Sequence, residues 1–168
     1  MKGKTKQTTD GEKHTLSDTE IAGIEQTEHP ARTAAMIMTF AGLRRGELIA
    51  LQWSDIDLEA ATITVSKSVR QNGDCFTVTP AKTVTRVVGI PEKLIHYLTP
   101  LKQPGSSLVC PCANNEMHSV TTWKLMWDSY MSELYRFNTY AETPGAIEDI
   151  TPQMLRHSFQ NSMITLET

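Results

Sequence analysis

Nowhere in these 168 residues does an apolar run approach the roughly 20 residues that a membrane-spanning helix requires. The opening Met1-Lys2-Gly3-Lys4-Thr5-Lys6 is basic but has no apolar stretch, so it does not read as a secretory signal. A cytoplasmic protein without a membrane partner is expected. Cysteine is scarce: there are three, an odd number, which argues against a disulfide scaffold. Cys110-Pro111-Cys112 with His118 nearby invites a zinc reading, but one residue separates the thiols and no second pair exists, against the usual C-x₂₋₄-C spacing. A loop with small semi-buried thiols, and no metal, is expected there. An excess of positive charge is also missing. Sixteen Lys and Arg stand against 19 Asp and Glu, a net charge of -3. Strong general affinity for nucleic acid does not follow from such a balance.

Net charge says little about where charges lie. Six cations fall between Gly42 and Ile90, namely Arg44, Arg45, Lys67, Arg70, Lys82 and Arg86, while acids crowd both ends (Glu20, Glu25, Glu28; Glu142, Glu148, Asp149). A local basic pocket on an acidic body fits this distribution. The length and the hydrophobic fraction of 39% suit one domain, with residues 1–14 a polar, disordered tail.

Leu16-Ser17-Asp18-Thr19-Glu20 supplies a staple residue, a cap and a capping-box acid, so a short helix is predicted to about Glu28, broken by His29-Pro30. Ala31 to Ala41 is apolar on nearly every side and predicts a central helix. Gly42 ends or bends it, and Arg44 to Leu51 reads as another helix. Trp53 to Asp57 reads as a loop pinned by two apolar residues. Residues 61–66 alternate as a half-buried strand does, Asn72-Gly73 is a strong hairpin signal, Phe76–Val78 is the return strand, and Arg86–Ile90 is a third strand. Residues 91–101 and about 119–137 are predicted helices. On the second of these, the Trp123, Trp127 and Tyr130 stripe reads as core at helical spacing. Thr143-Pro144-Gly145 opens a linker to a last helix, capped by Thr151 with Pro152 at its first position. The expected class is α+β, mainly helical, with a small three-stranded antiparallel sheet.

Ala41-Gly42-Leu43-Arg44-Arg45-Gly46-Glu47-Leu48, followed by Leu51-Gln52-Trp53-Ser54-Asp55-Ile56, resembles the first signature of the tyrosine recombinases, the phage-integrase family. Thr79-Pro80-Ala81-Lys82-Thr83 looks like that family's β-hairpin lysine turn. Thr151 to Phe159 looks like its second arginine box. The three blocks stand in family order across roughly residues 15–165. The resemblance implies the family's catalytic-domain fold and its reaction: a tyrosine attacks a DNA phosphodiester, a phosphotyrosyl link forms, and the strand is rejoined. It implies no metal or other cofactor, and double-stranded DNA and other recombinase subunits as partners. By resemblance, Arg44 and Arg156 clamp the phosphate oxygens, where preorganised charge helps most, and Lys82 protonates the leaving oxygen. Glu47 and His157 support them. Arg45 and Arg86 are candidate contacts to the DNA backbone.

Two departures from the family pattern matter. Gln153 stands where the family has a histidine; glutamine can donate to a phosphate oxygen but cannot carry a proton. The family's tyrosine lies some tens of residues after the second arginine, whereas these residues stop twelve after Arg156, and Tyr97, Tyr130, Tyr135 and Tyr140 all precede the box. The expectation is a partial catalytic domain over 15–168 with no nucleophile of its own, inactive in isolation. A non-catalytic remnant that binds DNA or a recombinase is the alternative. A topoisomerase-like nicking enzyme would use the same chemistry but fits the first signature less well. A monomer or weak dimer is expected.

Overall fold

The capping box anticipated at Ser17 opens the first element. The Ser17 N–H donates to Glu20 Oε2 (2.8 Å) and the Glu20 N–H donates to Ser17 Oγ (3.2 Å), so two amides that helix α1 (Asp18–Gln26) would leave bare are satisfied. The computed structural model describes residues 15–81, 84–140 and 150–166. The tail expected at 1–14, Lys82 and the linker at Thr143-Pro144-Gly145 lie outside the described residues.

Helix α2 (Arg32–Ala41) is buried from Ala34 to Thr39, as its all-round apolar character demands. Gly42 ends it at φ +69°, a left-handed conformation that glycine adopts without penalty. Arg44 then caps helix α3 (Arg45–Ile49), which is shorter than the predicted 44–51 segment. A 3-10 turn at Trp53–Asp55 follows, with Trp53 and Ile56 buried.

The sheet has three antiparallel strands, but not the three that periodicity suggests. The two-residue strand β1 (Ile56–Asp57) pairs with β2 (Thr62–Val65). Strands β3 (Lys67–Asn72) and β4 (Cys75–Pro80) form a separate two-stranded ribbon around the Asn72-Gly73 turn. Strand β5 (Arg86–Gly89) returns to β2, with Val65 opposite Arg86. The predicted return strand at 76–78 therefore belongs to the ribbon, and its place in the sheet is taken by β1 from the predicted loop. Ser66 breaks the ladder between β2 and β3, so one alternating run serves two sheets.

Helix α4 (Glu92–Leu98) runs into a 3-10 turn at Thr99–Leu101. Helix α5 (Val120–Tyr140) is held at its start by the ribbon tip. The Val120 N–H donates to the Asp74 carbonyl (2.9 Å), and the Thr121 N–H and hydroxyl both donate to Asp74 Oδ1 (2.9 and 2.6 Å). Trp123, Trp127, Tyr130 and Leu134 of α5 lie in the main core with Ile24, Ile37, Met38, Leu48, Ile63 and Leu94. Helix α6 (Pro152–Leu166) packs on α2 and adds Leu155 to that core. It also meets the approach to α1, where the Leu16 N–H donates to Ser158 Oγ (2.9 Å).

Among the described residues no helix is long and apolar enough to cross a membrane. Nor are three or more His, Cys, Asp or Glu side chains there grouped to hold a metal ion. Cys110 is buried, and burial pushes its thiol up to about 12. The Cys112 thiol donates to Asn114 Oδ1 (2.6 Å), and His118 Nδ1 bonds to the Thr122 hydroxyl (3.1 Å).

Candidate functional site: two arginines on one cavity

The start of α3 and the start of α6 meet across Gly42. Arg156, one turn into α6, donates from Nε to the Gly42 carbonyl (3.2 Å), which lies two residues before Arg44. The close approach depends on glycine: a Cβ at position 42 would stand 2.2 Å from Cδ1 of the Phe159 ring. Thr151 caps α6 as its sequence suggests, its hydroxyl accepting from the Met154 N–H (3.3 Å).

Between these helix starts lies a cavity of about 460 Å³ lined by Arg44, Arg45, Thr151, Pro152, Gln153 and Arg156. Arg44, Arg45 and Gln153 are exposed there, while Arg156 is partly buried. Three guanidiniums at one hollow, each able to present parallel N–H donors, suit an anion with several oxygens. The Gln153 amide adds donors at the same wall. No tyrosine is among the lining residues.

Glu47 sits behind Arg44 with its side chain 4% exposed. Its Oε2 accepts the Arg44 N–H (2.9 Å), and both oxygens accept from Arg86, Nη1 to Oε1 and Nη2 to Oε2, each at 2.8 Å. Burial pushes the Glu47 carboxyl up. The Arg86 hydrogen bonds, the Arg44 amide and the two guanidinium charges outweigh it, leaving the group below the usual carboxylate range. The bonds to Glu47 hold Arg86 above its ordinary value. Arg156 moves the other way: burial lowers it first, Arg44 and Arg86 repel it, and Glu47 gives back part. The cluster is thus three cations around one buried anion, with net positive charge facing the cavity.

The structure brings together Arg44, Arg45, Gln153 and Arg156, with Glu47 directly behind them. Arg86, expected on the DNA backbone, turns its fork onto Glu47. Arg45 also lies 5.8 Å from the Phe76 ring centroid, within cation–π range, which ties α3 to the ribbon. His157 is not among the lining residues, and its Nδ1 is buried without a hydrogen-bond partner among the described residues. Thr151 and Pro152 form part of the cavity wall, although in sequence they signal only a helix start. The Arg86–Glu47 pair spans 39 residues and leaves no local trace in a sequence.

This fold is that of a tyrosine-recombinase catalytic domain. The profile described as the phage integrase family matches residues 14–167, and the chain belongs to that family. The chain is 31% identical over 151 residues to the ICEBs1 integrase of Bacillus subtilis, covering 87% of this chain and 39% of that protein. It is 39% identical over 59 residues to a tyrosine recombinase XerC-like protein of Caldanaerobacter subterraneus, covering 34% of this chain and 15% of that one. Among solved structures, the Tn1549 transposon integrase in complex with circular intermediate DNA matches with a TM-score of 0.71 at 20% identity, covering 94% of this chain and 56% of that chain. The XerA recombinase matches with a TM-score of 0.64 at 17% identity, covering 92% of this chain and 50% of that chain. The chain therefore spans well under two thirds of the relatives it matches.

Proposed function

We propose that this chain supplies the phosphate-clamping part of a site-specific recombinase that cuts and rejoins double-stranded DNA through a phosphotyrosyl intermediate. The observation that carries the reading is the convergence of Arg44 and Arg156, 112 positions apart, on one cavity. In this reading a DNA phosphate enters the cavity and its two non-bridging oxygens take the guanidinium donors. As a nucleophile adds to phosphorus, negative charge grows on those oxygens, and the fixed cations stabilise the transition state more than the ground state. Gln153 donates a further hydrogen bond to the same oxygens. Lys82 delivers a proton to the leaving 5′-oxygen. The tyrosine comes from outside the cavity lining, from another segment or another recombinase subunit. Its natural setting is the cytoplasm, on a mobile element's DNA.

Gln153 favours a second reading, in which the chain binds DNA or a recombinase without catalysis. A carboxamide supports phosphate binding and cannot shuttle a proton. Both readings require the clamp. A short DNA duplex titrated with this chain at several salt concentrations tests it. The logarithm of the binding constant should fall linearly with the logarithm of salt concentration, by about 0.9 per phosphate neutralised. Arg44→Ala and Arg156→Ala should each weaken binding about tenfold and shallow that slope by about one. A salt-independent titration, or slopes unmoved in both variants, refutes the clamp.

A further inference from the structure

Arg86 is a cation near a phosphate site, yet its fork faces inward. Both terminal nitrogens donate to the Glu47 carboxylate at 2.8 Å in a bidentate pair. Glu47 is nearly sealed from water, whereas the Arg86 side chain is 34% exposed. The same carboxylate accepts the Arg44 N–H, at the residue that caps α3 and lines the cavity. Arg44 has no side-chain capping bond of its own; at its extended backbone (φ -74°, ψ 152°) the N–H is held by this acceptor, while its carbonyl accepts the Leu48 N–H (3.0 Å) as α3 begins. Arg86 is also the first residue of β5 and lies four positions after Lys82. On either side of that stretch, the Ala81 N–H donates to the Ser66 carbonyl (3.0 Å) and Arg86 is held on Glu47.

We infer that Arg86 is a positioning residue: by gripping Glu47 it fixes the N-cap of α3 and so aims Arg44 into the cavity. The inference rests on the phosphate-clamp reading. It differs from a backbone contact in what it asks of the side chain. A phosphate contact needs a positive charge. A grip on both oxygens of a buried carboxylate needs a planar fork, which lysine lacks. Removing the fork leaves Glu47 desolvated with only the Arg44 amide, so the carboxylate takes up a proton or rotates toward water, and the N-cap loosens in either case.

The test is a mutant cycle on DNA affinity across a salt series, with far-UV circular dichroism checking that each variant is folded at the assay temperature. Arg86→Gln should weaken duplex binding about tenfold, the loss expected of Arg44→Ala. Arg86→Lys should lose nearly as much despite keeping its charge. In an Arg44→Ala background, Arg86→Gln should change neither the affinity nor the salt slope. Glu47→Gln should likewise make Arg86→Gln silent. If Arg86→Lys binds like the parent, or if the Arg44 and Arg86 losses multiply and the slope shallows twice, Arg86 touches DNA directly and the inference is wrong. Should Arg86→Gln fail to fold, Arg86→Lys and the Glu47→Gln background still decide. A parent chain whose binding ignores salt removes the clamp reading itself, a different failure from additive losses in a chain that binds.

Discussion

Gly42→Ala is the substitution expected to do most damage for its size. Two penalties coincide at this position. The backbone sits at φ +69°, where a side chain costs about 1–2 kcal/mol. The new methyl would also lie 2.2, 2.7 and 2.9 Å from Cδ1, Cε1 and Cγ of Phe159, well inside van der Waals contact. The overlap with this α6 ring acts as overpacking, worth about 1–3 kcal/mol. The hydrogen bond from Arg156 to the Gly42 carbonyl stretches or breaks as α6 lifts, about 1 kcal/mol more. The total is about 4 kcal/mol, a large part of the roughly 5–15 kcal/mol that holds a domain. Gly73 provides the control. It too has positive φ (+61°), but nothing lies within 4 Å of the Cβ an alanine would add. Gly73→Ala should therefore lose only the backbone term. Urea denaturation followed by tryptophan fluorescence compares the two, and Gly42→Ala/Phe159→Ala should recover the steric part of the loss. Duplex binding should fail in Gly42→Ala at urea-free, low-salt conditions and persist in Gly73→Ala. Equal destabilisation by the two alanines would mean that α6 does not dock on Gly42 as described.

Trp127→Phe should destabilise by about 2 kcal/mol, because the indole N–H donates to the buried Ile150 carbonyl (3.0 Å) just ahead of the α6 cap; a loss under about 0.5 kcal/mol in the denaturant midpoint counts against that tether. His29 should make the fold acid-sensitive. Its Nδ1 accepts the Ala31 N–H (3.1 Å) and its Nε2 donates to the Ser129 hydroxyl (3.0 Å), an arrangement only the neutral ring supports. Burial lowers it from 6.5, with Glu133 opposing. The unfolded chain therefore binds the proton first, so stability is complete above about pH 6.5 and declines as pH falls toward the folded value. His118 is shifted the same way by burial, so the readout is the difference from His29→Gln. That variant should lose part of the decline between pH 6.5 and 5; an unchanged pH profile refutes the assignment.

Helix starts were the most legible features, because a cap is a local event. Ser17 with Glu20 and Thr151 with Pro152 behave as their side chains require. The hairpin at Asn72-Gly73 was legible for the same reason. Strand partnership was not. Ile56–Asp57 is too short to show any period, and the continuous alternation through Ser66 hides a switch from sheet to ribbon that only the long-range partners decide. Among site residues, Arg44, Arg156 and Gln153 were readable as motif positions and do share a cavity. Arg86 was not, since an exposed cation and a gripping one look alike until the carboxylate 39 residues away is seen.

The bond from Arg156 to Gly42 means that the first turn of α6 and the residue two before Arg44 are joined by a bridge only a few atoms long. Lengthening the exposed stretch at 102–104, far from that bridge in the chain, leaves the bridge untouched. One residue inserted between Ala41 and Arg44 would swing Arg44 away from Arg156. Tolerance to insertion should therefore be generous along the outer loops and nil over those four positions.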